Sequence, residues 1–328
     1  MISRIRYICP EGTVPQENLA IEEYLMRHVA DGECVLSLWR SRQTVVVGRN
    51  QNIRRECRVD QLLADGGQIA RRLSGGGAVY HDLGNLNFSF MVSDPDYDVD
   101  RQLSVIAEAL KEFGLNAEKT GRNDVTVDGR KCSGNAFLQE GRGHCHHGTL
   151  LISVSSADMA KYLTPDPGKL KSKGVASVKS RVVNLQDLAP ELTVDTVKPA
   201  LIRAFGKVYG LEPEELPMSA LDWDVVRART AELKSAEWLY GHDPACSMRS
   251  QRQYFPWGSG ELVIDARKGK VAQATLYTDA LDENLSAKVS ATLEGVSCDR
   301  QSLLTALSQG DWNPAVSEGL GQLIAQML

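Results

Sequence analysis

Apolar and polar residues alternate along the first two thirds of the chain with the periods of strands and helices. Residues 5–9 predict a short strand, and Pro15 opens a helix after it. Residues 34–40 and the β-branched run 44–47 predict two strands joined as a hairpin. The apolar face of the first helix is formed by Ile21, Tyr24, Leu25, His28 and Val29, which makes His28 a core or boundary residue.

The same two periods predict the elements that follow. Residues 86–92 predict a strand with Phe88 and Phe90 inward. An Asp-Gly pair between alternating residues predicts a tight hairpin over residues 125–131. We expect helices at residues 59–64, 98–113, 157–163, 196–209 and 224–234, with Pro199 in the first turn of the fourth.

Periodicity weakens across residues 244–256 and then returns as a smaller set of elements. These are a hairpin of residues 261–264 and 271–277 and three helices, at residues 285–293, 300–307 and 314–328. We therefore expect an α+β protein with a large domain, residues 1–246, and a small C-terminal α+β domain, residues 247–328.

Length and composition limit the classes of function. A chain of 328 residues with 42% hydrophobic content can build two packed domains. A net charge of −5 argues against a broad surface for nucleic acid or for an anionic membrane, because such partners select clustered positive charge. No apolar run is long enough for a membrane span or a signal peptide. We expect a cytoplasmic protein.

The cysteines and histidines suggest neither disulfides nor a metal centre. Seven cysteines are scattered without a C-x-x-C pair, which is typical of reduced thiols. Residues 144–147 (HCHH) are metal-ligand types. Strand alternation, however, sends His144 and His146 to one face and Cys145 and His147 to the other. We therefore expect no protein-bound metal.

Residues 71–85 (RRLSGGGAVYHDLGN) carry the strongest chemical signal. Glycines let backbone N–H groups approach a ligand closely, and the two arginines supply fixed charge for a phosphate or carboxylate. The Lys-Ser/Thr pair of a P-loop is missing, and Tyr80 replaces the third glycine of a dinucleotide fingerprint. The stretch predicts an anion-binding loop, and generic motifs leave its ligand open.

The glycine stretch is one of five blocks that give the chain a family resemblance. In their order and spacing the five blocks resemble those of the lipoate-protein ligases, and the resemblance continues into the C-terminal region. The other four blocks are residues 45–52 (VVVGRNQN), 121–124 (GRND), 129–136 (GRKCSGNA) and 146–150 (HHGTL).

The resemblance implies a fold and a reaction. The fold is a mixed-sheet catalytic core like that of the biotin and lipoate ligases, which are class II synthetase-like, with a small C-terminal domain that rotates between two steps. In the first step ATP and Mg²⁺ convert lipoate to lipoyl-AMP and pyrophosphate is released. In the second, a carrier lysine takes the lipoyl group. The expected carriers are lipoyl domains of 2-oxoacid dehydrogenase E2 subunits and the glycine cleavage H protein, and we expect a monomer.

The resemblance also assigns residues, block by block. Lys131 aligns with the family's essential lysine, and Asp124 is a candidate for orienting or deprotonating the acceptor amine. A basic segment resembles the family's adenylate-covering loop and predicts a lid of Lys169, Lys171, Lys173, Lys179 and Arg181. The expected ATP and lipoyl-AMP residues are Arg72, Ser74, Gly75, Gly76, Gly77, Ala78, Val79, Tyr80, Asn85, Asn123 and Lys131. The expected lipoate pocket is Trp39, Val46, His81, His147 and Gly148. Trp39 lies outside the five blocks, and the sequence alone favours a plain core role for it.

Without the resemblance, the residues leave alternatives open. A lysine beside a hairpin turn is commonly a solvated edge residue, and the basic segment also suits a solvated loop. Asp124 also suits a structural or Mg²⁺-associated role. Two other functions remain: a transferase that takes octanoyl or lipoyl groups from a carrier thioester through a cysteine, and a non-catalytic lipoate- or adenylate-binding protein. Cys132 and Cys145 keep the transferase open, whereas the extra domain and the basic segment favour the ligase.

Overall fold

The structure is a computed structural model that describes residues 1–120, 123–164, 182–240, 248–267 and 269–328. The chain divides into two compact units. Unit 1 consists of Met1–Val46, Arg58–Ala70 and Val79–Lys234, and unit 2 of Val47–Cys57, Arg71–Ala78 and Ser235–Leu328. Unit 2 therefore combines the C-terminal region with two earlier segments, one of which is the glycine stretch. A domain boundary at residue 246 stays a prediction.

Strands account for much of both units. They are β1 (Arg4–Ile8), β2 (Glu33–Trp39), β3 (Thr44–Val47), β4 (Gln68–Arg71), β5 (Val79–His81), β6 (Asn85–Ser93), β7 (Ala117–Thr120), β8 (Asp124–Val127), β9 (Arg130–Glu140), β10 (Gly143–Leu151), β11 (Pro213–Glu215), β12 (Met248–Arg249), β13 (Gln253–Phe255), β14 (Gly258–Arg267) and β15 (Lys270–Thr278).

The helices lie close to the predicted positions. They are α1 (Pro15–His28), α2 (Ile53–Glu56), α3 (Val59–Ala64), α4 (Val99–Lys111), α5 (Ser156–Tyr162), α6 (Val194–Tyr209), α7 (Trp223–Lys234), α8 (Ala236–Tyr240), α9 (Leu285–Leu293), α10 (Arg300–Ser308) and α11 (Pro314–Met327). Among the described residues, no helix has both the length and the apolar character needed to cross a membrane.

Unit 1 contains an eight-stranded sheet in the order β11-β1-β2-β6-β10-β9-β8-β7. β1 runs parallel to β2 and β11, while the other neighbours are antiparallel, so the sheet is mixed as predicted. The predicted hairpin of residues 34–40 and 44–47 is wrong. β1 and β6 occupy both edges of β2, and the chain turns at Gln43, whose φ is +30°, into a separate sheet ordered β4-β3-β5.

The two faces of the large sheet differ in chemistry. On β6, Phe88 and Phe90 point into the main apolar core, which α4 and α6 also build. The alternate residues Asn85, Asn87 and Ser89 are equally buried but polar, and Ser89 bonds to α1. One face of the sheet is therefore an ordinary core, and the other holds a buried polar surface beneath α1.

Two local predictions need correction. His28 is exposed, because α1 ends there, and its ring stacks on Tyr24 with centroids 4.2 Å apart. Pro199 lies inside α6 rather than in its first turn, because the helix begins earlier, at Val194, behind a capping box made by Thr193 and Thr196.

Unit 2 has its own sheet and core. The predicted hairpin is confirmed as β14 and β15, and β12 and β13 also pair with β14. Leucines of α9, α10 and α11 pack on this sheet, among them Leu293, Leu303 and Leu323. The C-terminal part of unit 2 is thus a small α+β body, as the sequence predicts.

Candidate active site

Lys131 and Asp124 face each other across the hairpin of β8 and β9. The predicted Asp-Gly turn is confirmed, with positive φ angles of 50° at Asp128 and 71° at Gly129. Lys131 Nζ lies 2.6 Å from Asp124 Oδ1, and the two side chains are 32% and 23% exposed. The hairpin therefore presents an ion pair that solvent, and hence a small ligand, can reach.

A bulge and a glycine let Lys131 reach its partner. The β8–β9 register shifts, so that Thr126 pairs with Lys131 while Asp124 pairs with Gly134. A Cβ at position 134 would come within 3.0 Å of Lys131 Nζ. On the other side, the Val183 N–H donates to the Lys131 carbonyl oxygen at 2.9 Å. The backbone of Lys131 is thus fixed while its side chain crosses open space above Gly134.

Asn123, which the resemblance places near the nucleotide, is bonded to Asn135 of β9. The Asn135 N–H and Nδ2 both donate to the Asn123 carbonyl oxygen, at 2.8 and 3.1 Å. In return, Asn123 Nδ2 donates to the Asn135 carbonyl oxygen at 2.7 Å. These bonds fix the residue that immediately precedes Asp124.

A row of buried polar side chains joins two residues of the expected lipoate pocket. His147 Nδ1 lies 2.7 Å from Glu22 Oε1, and Ser89 Oγ donates to Glu22 Oε2 at 2.5 Å. Trp39 Nε1 donates to the same Ser89 hydroxyl at 3.4 Å. Trp39 and His147 are therefore connected through Ser89 and Glu22, neither of which the sequence analysis identified.

Burial and charge set the protonation states around this row. Burial alone would raise the pKa of Glu22, but the charge and hydrogen bond of His147, with bonds from Ser89 and Cys145, hold it below its usual value. Burial, with the Glu22 charge, raises the pKa of Cys145 well above its usual value. Burial also raises the pKa of Cys132 to about 12. Near neutral pH both thiols stay protonated and are poor nucleophiles.

The remaining pocket residues are distributed over two sheets. The His81 ring meets Trp39 edge-on, with centroids 6.2 Å apart. Val46 of β3 pairs with Val79 of β5 and is buried. Gly148 lies on the face of β10 opposite His147, because the residues of a strand alternate. The pocket role of all five residues stays a prediction.

Asn85 and Tyr80 occupy buried positions. Asn85 Nδ2 donates to Asn87 Oδ1 at 3.1 Å, but Asn85 Oδ1 is buried without a partner among the described residues. An unsatisfied buried acceptor is costly, so a ligand or water donor would stabilise it. The Tyr80 ring packs at 5.7 Å from that of Tyr162.

In unit 2 the arginines hold the glycine stretch in its shape. Arg72 donates from Nε to Ser74 Oγ at 3.0 Å and from Nη2 to the carbonyl oxygens of Gly75 and Gly77 at 2.7 and 2.9 Å. Arg71 donates to backbone carbonyls that include the Gln51 oxygen at 2.7 Å. Both arginines are buried. The contact expected between Arg72 and the nucleotide stays a prediction.

Three backbone segments of unit 2 meet at this loop without space for side chains. A Cβ on Gly48 would come within 2.1 Å of the Gly76 carbonyl oxygen, and one on Gly75 within 2.3 Å of the Ala280 carbonyl oxygen. Gly76 has a φ of 93° and donates its N–H to the same Ala280 oxygen at 2.8 Å. Close approach requires glycine at 48 and 75, and the positive φ favours it at 76.

A protein-family model described as the lipoyl protein ligase A/B catalytic domain matches residues 14–206, more than half of the chain. The chain belongs to this family. A second model, described as the bacterial lipoate protein ligase C-terminus, matches residues 243–324. The family predicted from the five sequence blocks is confirmed, and the protein is an enzyme of the ligase class.

Solved lipoate ligases share the fold. LipL1 of P. falciparum, solved with lipoate, is 26% identical with a TM-score of 0.84, covering 98% of this chain and 99% of its own. A bi-partite lipoate protein ligase from Thermoplasma acidophilum is 27% identical with a TM-score of 0.63, covering 74% and 97%. A lipoate-protein ligase A bound with ATP is 25% identical with a TM-score of 0.63, covering 74% and 99%. The α+β fold of this ligase family is confirmed.

Part of the expected ligase site lies outside the described residues. This applies to the predicted lid, with Lys169, Lys171, Lys173, Lys179 and Arg181, and to Gly121 and Arg122 of the third block. Of the residues that the sequence did not point to, Glu22 lies at the edge of the predicted apolar face of α1, where a carboxylate can be buried when the helix packs on the sheet. Ser89 gave no signal of burial, because a serine that alternates with aromatic residues on a strand also suits a solvent-exposed face.

One cluster in the described part of the chain has the ligand atoms for a metal. The ligand atoms of Glu22, Cys145 and His147 lie within 4.8 Å of one another. The Glu22–His147 contact and the protonated state of Cys145 already account for this arrangement. The predicted separation of residues 144–147 onto two faces is confirmed by the strand register. The expectation of no protein-bound metal stays a prediction.

Proposed function

We propose that this ligase activates free lipoate with ATP to lipoyl-AMP, releases pyrophosphate, and transfers the lipoyl group to a lysine of a carrier protein. The proposed carriers are E2 lipoyl domains of 2-oxoacid dehydrogenases and the glycine cleavage H protein. The observation that carries the proposal is the accessible Lys131–Asp124 ion pair at the hairpin. Relatives solved with lipoate and with ATP support it, as does one studied with its E2 lipoyl domain.

Activation is needed because a carboxylate is a poor electrophile. In the first step a lipoate carboxylate oxygen attacks the α-phosphorus of ATP, and the bond to pyrophosphate breaks. Negative charge then develops on the phosphate oxygens, and a preorganised cation stabilises it most effectively. Lys131 is that cation in our proposal: its side chain is accessible, and its backbone is held by Val183.

The second step requires a neutral amine. The carrier lysine attacks the acyl carbon of lipoyl-AMP, AMP leaves, and the amine loses a proton. With a pKa of about 10.4, only about one lysine in a thousand is neutral near pH 7. Asp124 is our candidate for the base. In Asp124→Asn, transfer from prepared lipoyl-adenylate should slow more than adenylation; equal slowing of both steps would leave Asp124 only an orienting role.

Mg²⁺ enters with ATP in this proposal. In the alternative to its role as the base, Asp124 would hold this ion together with the amide oxygen of Asn123, because carboxylate and amide oxygens are the hard donors that suit Mg²⁺. When bound, Mg²⁺ shares the negative charge of the phosphates. The proposal also takes the enzyme to be monomeric and cytoplasmic, as the sequence analysis predicts.

The test is pyrophosphate release on adding lipoate to enzyme and ATP. Lys131→Ala should lower the rate about a hundredfold or more, because a preorganised charge contact is worth about 3 kcal/mol. Lys119→Ala is the control. Lys119 lies on β7, its side chain is 49% exposed, and it pairs with Asp100 of α4. A wild-type enzyme that releases no pyrophosphate, or Lys131→Ala at the wild-type rate, contradicts the proposal.

A further inference from the structure

A buried polar chain crosses unit 1 from the apolar core to the hairpin that carries Asp124. At its centre is His146, on the face of β10 opposite His147. His146 Nδ1 lies 2.9 Å from Gln102 Oε1 of α4, and Nε2 lies 3.0 Å from Asn135 Oδ1 of β9. The exposed fractions of His146, Gln102 and Asn135 are 0%, 0% and 5%. No step of the proposed reaction uses His146 or Gln102.

The hydrogen bonds define how each side chain of this buried polar chain is oriented. Asn135 Nδ2 donates to the Asn123 carbonyl oxygen, so Asn135 Oδ1 must face His146 and accept the proton of Nε2. Neutral His146 then has Nδ1 as an acceptor. Gln102 Nε2 is buried without a partner among the described residues, and reversing this amide would place it on Nδ1. Each ring nitrogen of His146 then has a complementary partner, with Nδ1 accepting from Gln102 and Nε2 donating to Asn135.

Close packing holds the side chains of His146 and Asn135 in place. The His146 ring is packed among Phe88, Phe90 and Phe137, with centroid distances of 5.8, 6.0 and 5.0 Å. A Cβ at Gly148 would come within 2.5 Å of Asn135 Oδ1. The imidazole therefore holds the Asn135 side chain by a hydrogen bond, and glycine at position 148 leaves the space that this side chain needs.

Asn135 transmits this position to the hairpin. Its backbone and side-chain N–H groups both hold the Asn123 carbonyl, and Asn123 is bonded directly to Asp124 in the chain. Asp124 in turn pairs with Lys131. A rotation of the Asn135 side chain would release one of the two bonds to the Asn123 carbonyl oxygen and loosen the end of β8.

We propose that His146 is a positioning residue for Asn123 and Asp124, acting through Asn135 and anchored by Gln102. It touches no substrate. The inference rests on the proposed function, because it takes the Asn123 end of the hairpin to face the nucleotide. A misplacement of about 1 Å at a reacting centre can cost about a hundredfold in rate, so the loss should appear in the ATP-dependent step.

Two variants of the full-length enzyme separate positioning from packing. His146→Phe keeps an aromatic ring among Phe88, Phe90 and Phe137 but removes both hydrogen bonds. His146→Gln keeps a donor and an acceptor. We expect His146→Phe to lower kcat/KM for ATP by about tenfold to a hundredfold, measured by pyrophosphate release. The Kd for lipoate should stay near the wild-type value, and His146→Gln should recover most of the loss.

Each outcome decides between positioning and a purely structural role. A wild-type kcat/KM for ATP in His146→Phe overturns the inference. So does a variant in which the affinity for lipoate and the thermal stability fall together with kcat/KM for ATP, because that pattern indicates a general loss of packing. If His146→Phe fails to fold, Gln102→Leu gives the same test from α4; an unchanged kcat/KM for ATP there also overturns the inference. A wild-type enzyme without ATP-dependent pyrophosphate release contradicts the proposed function instead, so the two failures are distinguishable.

Discussion

Lys131 and Cys132 are chain neighbours with opposite chemical properties. The Lys131 side chain is 32% exposed and its ammonium group is paired with Asp124; water weakens an ion pair of this exposure, and in our proposal a phosphate replaces the carboxylate. The thiol is fully buried, and burial raises its pKa to about 12. The hairpin thus offers an available cation beside an unreactive thiol, which suits catalysis through an adenylate and does not suit a thioester intermediate.

The cysteines give a direct prediction. Replacing both Cys132 and Cys145 with serine should leave a substantial rate of ATP-dependent lipoylation, because the acyl group travels on AMP and neither thiol is ionised. The rate is measured by transfer to a lipoyl domain. Detection of an acyl-thioester on either cysteine of the wild-type enzyme by denaturing mass spectrometry would instead support the transferase.

His146 gives a prediction for stability against pH. Burial, with the charges of His147 and Lys119, lowers the pKa of His146 to about 3, whereas an unfolded histidine titrates near 6.5. As the pH falls below about 6.5 the unfolded chain binds the proton first. Neutral His146 therefore makes its full contribution to the free energy of unfolding above about pH 6.5. Below that pH the free energy of unfolding falls by up to about 1.4 kcal/mol per pH unit towards pH 3.

The measurement compares urea unfolding of the wild type and His146→Phe at pH 7.5 and pH 5.5. Between pH 7.5 and pH 5.5 the free energy of unfolding of the wild type should fall by about 1.4 kcal/mol more than that of the variant. Parallel losses in the two proteins would show that His146 is protonated in the folded state or contributes nothing.

Among the strands and helices, those with a local signal were predictable and those defined by distant partners were not. Asp128-Gly129 specifies the β8–β9 turn by its own backbone preference, and the prediction is confirmed. The partner of β3 depends on β5, more than thirty residues later, so local alternation predicted the wrong neighbour. The polar face of β6 was missed because alternation shows that a face is polar, but not that α1 buries it.

The glycine stretch gives a prediction about backbone approach. Gly48→Ala should lower stability and weaken ATP binding, because the added Cβ would lie 2.1 Å from the Gly76 carbonyl oxygen and must move the loop. Gly321→Ala in α11 is the matched control, since among the described residues its Cβ would lie at an ordinary van der Waals distance of 3.6 Å from Leu304. That change should be neutral or add up to about 1 kcal/mol of helix stability.

Thermal unfolding and ATP titration measure both effects. Equal behaviour of the two alanine variants in both assays would mean that the loop tolerates a side chain at position 48, and the close approach described for the glycines would be wrong.

Unit 2 combines two segments from the first quarter of the sequence with the C-terminal region. Thr278 donates its N–H to the Asn50 carbonyl oxygen at 3.0 Å, Gly76 donates to Ala280, and Arg55 forms an ion pair with Glu261. The periodicity of the sequence predicts a division near residue 246 because it reports elements in order. It does not predict which earlier loops join the C-terminal body, since that depends on backbone bonds between residues about two hundred positions apart.

A chain ending at residue 246 tests the contribution of the C-terminal region. It lacks Ala280 and Glu261, the partners of Gly76 and Arg55, so the glycine stretch loses its support and adenylation should be mostly lost. Lys131 and Asp124 lie in unit 1, so transfer from chemically prepared lipoyl-adenylate should persist. If the shortened chain is folded by circular dichroism but loses both steps equally, or keeps both, this division of tasks is wrong.

The most direct test of the proposed activity compares two acyl sources for one acceptor. The enzyme is incubated with an unmodified lipoyl domain and either free lipoate with ATP and Mg²⁺, or octanoyl-carrier protein without ATP, and the intact mass of the lipoyl domain is measured. We predict a mass increase of one lipoyl group only in the first mixture, accompanied by an equal amount of pyrophosphate. Acylation in the second mixture, or none in the first, would contradict the assignment as an ATP-dependent lipoate ligase.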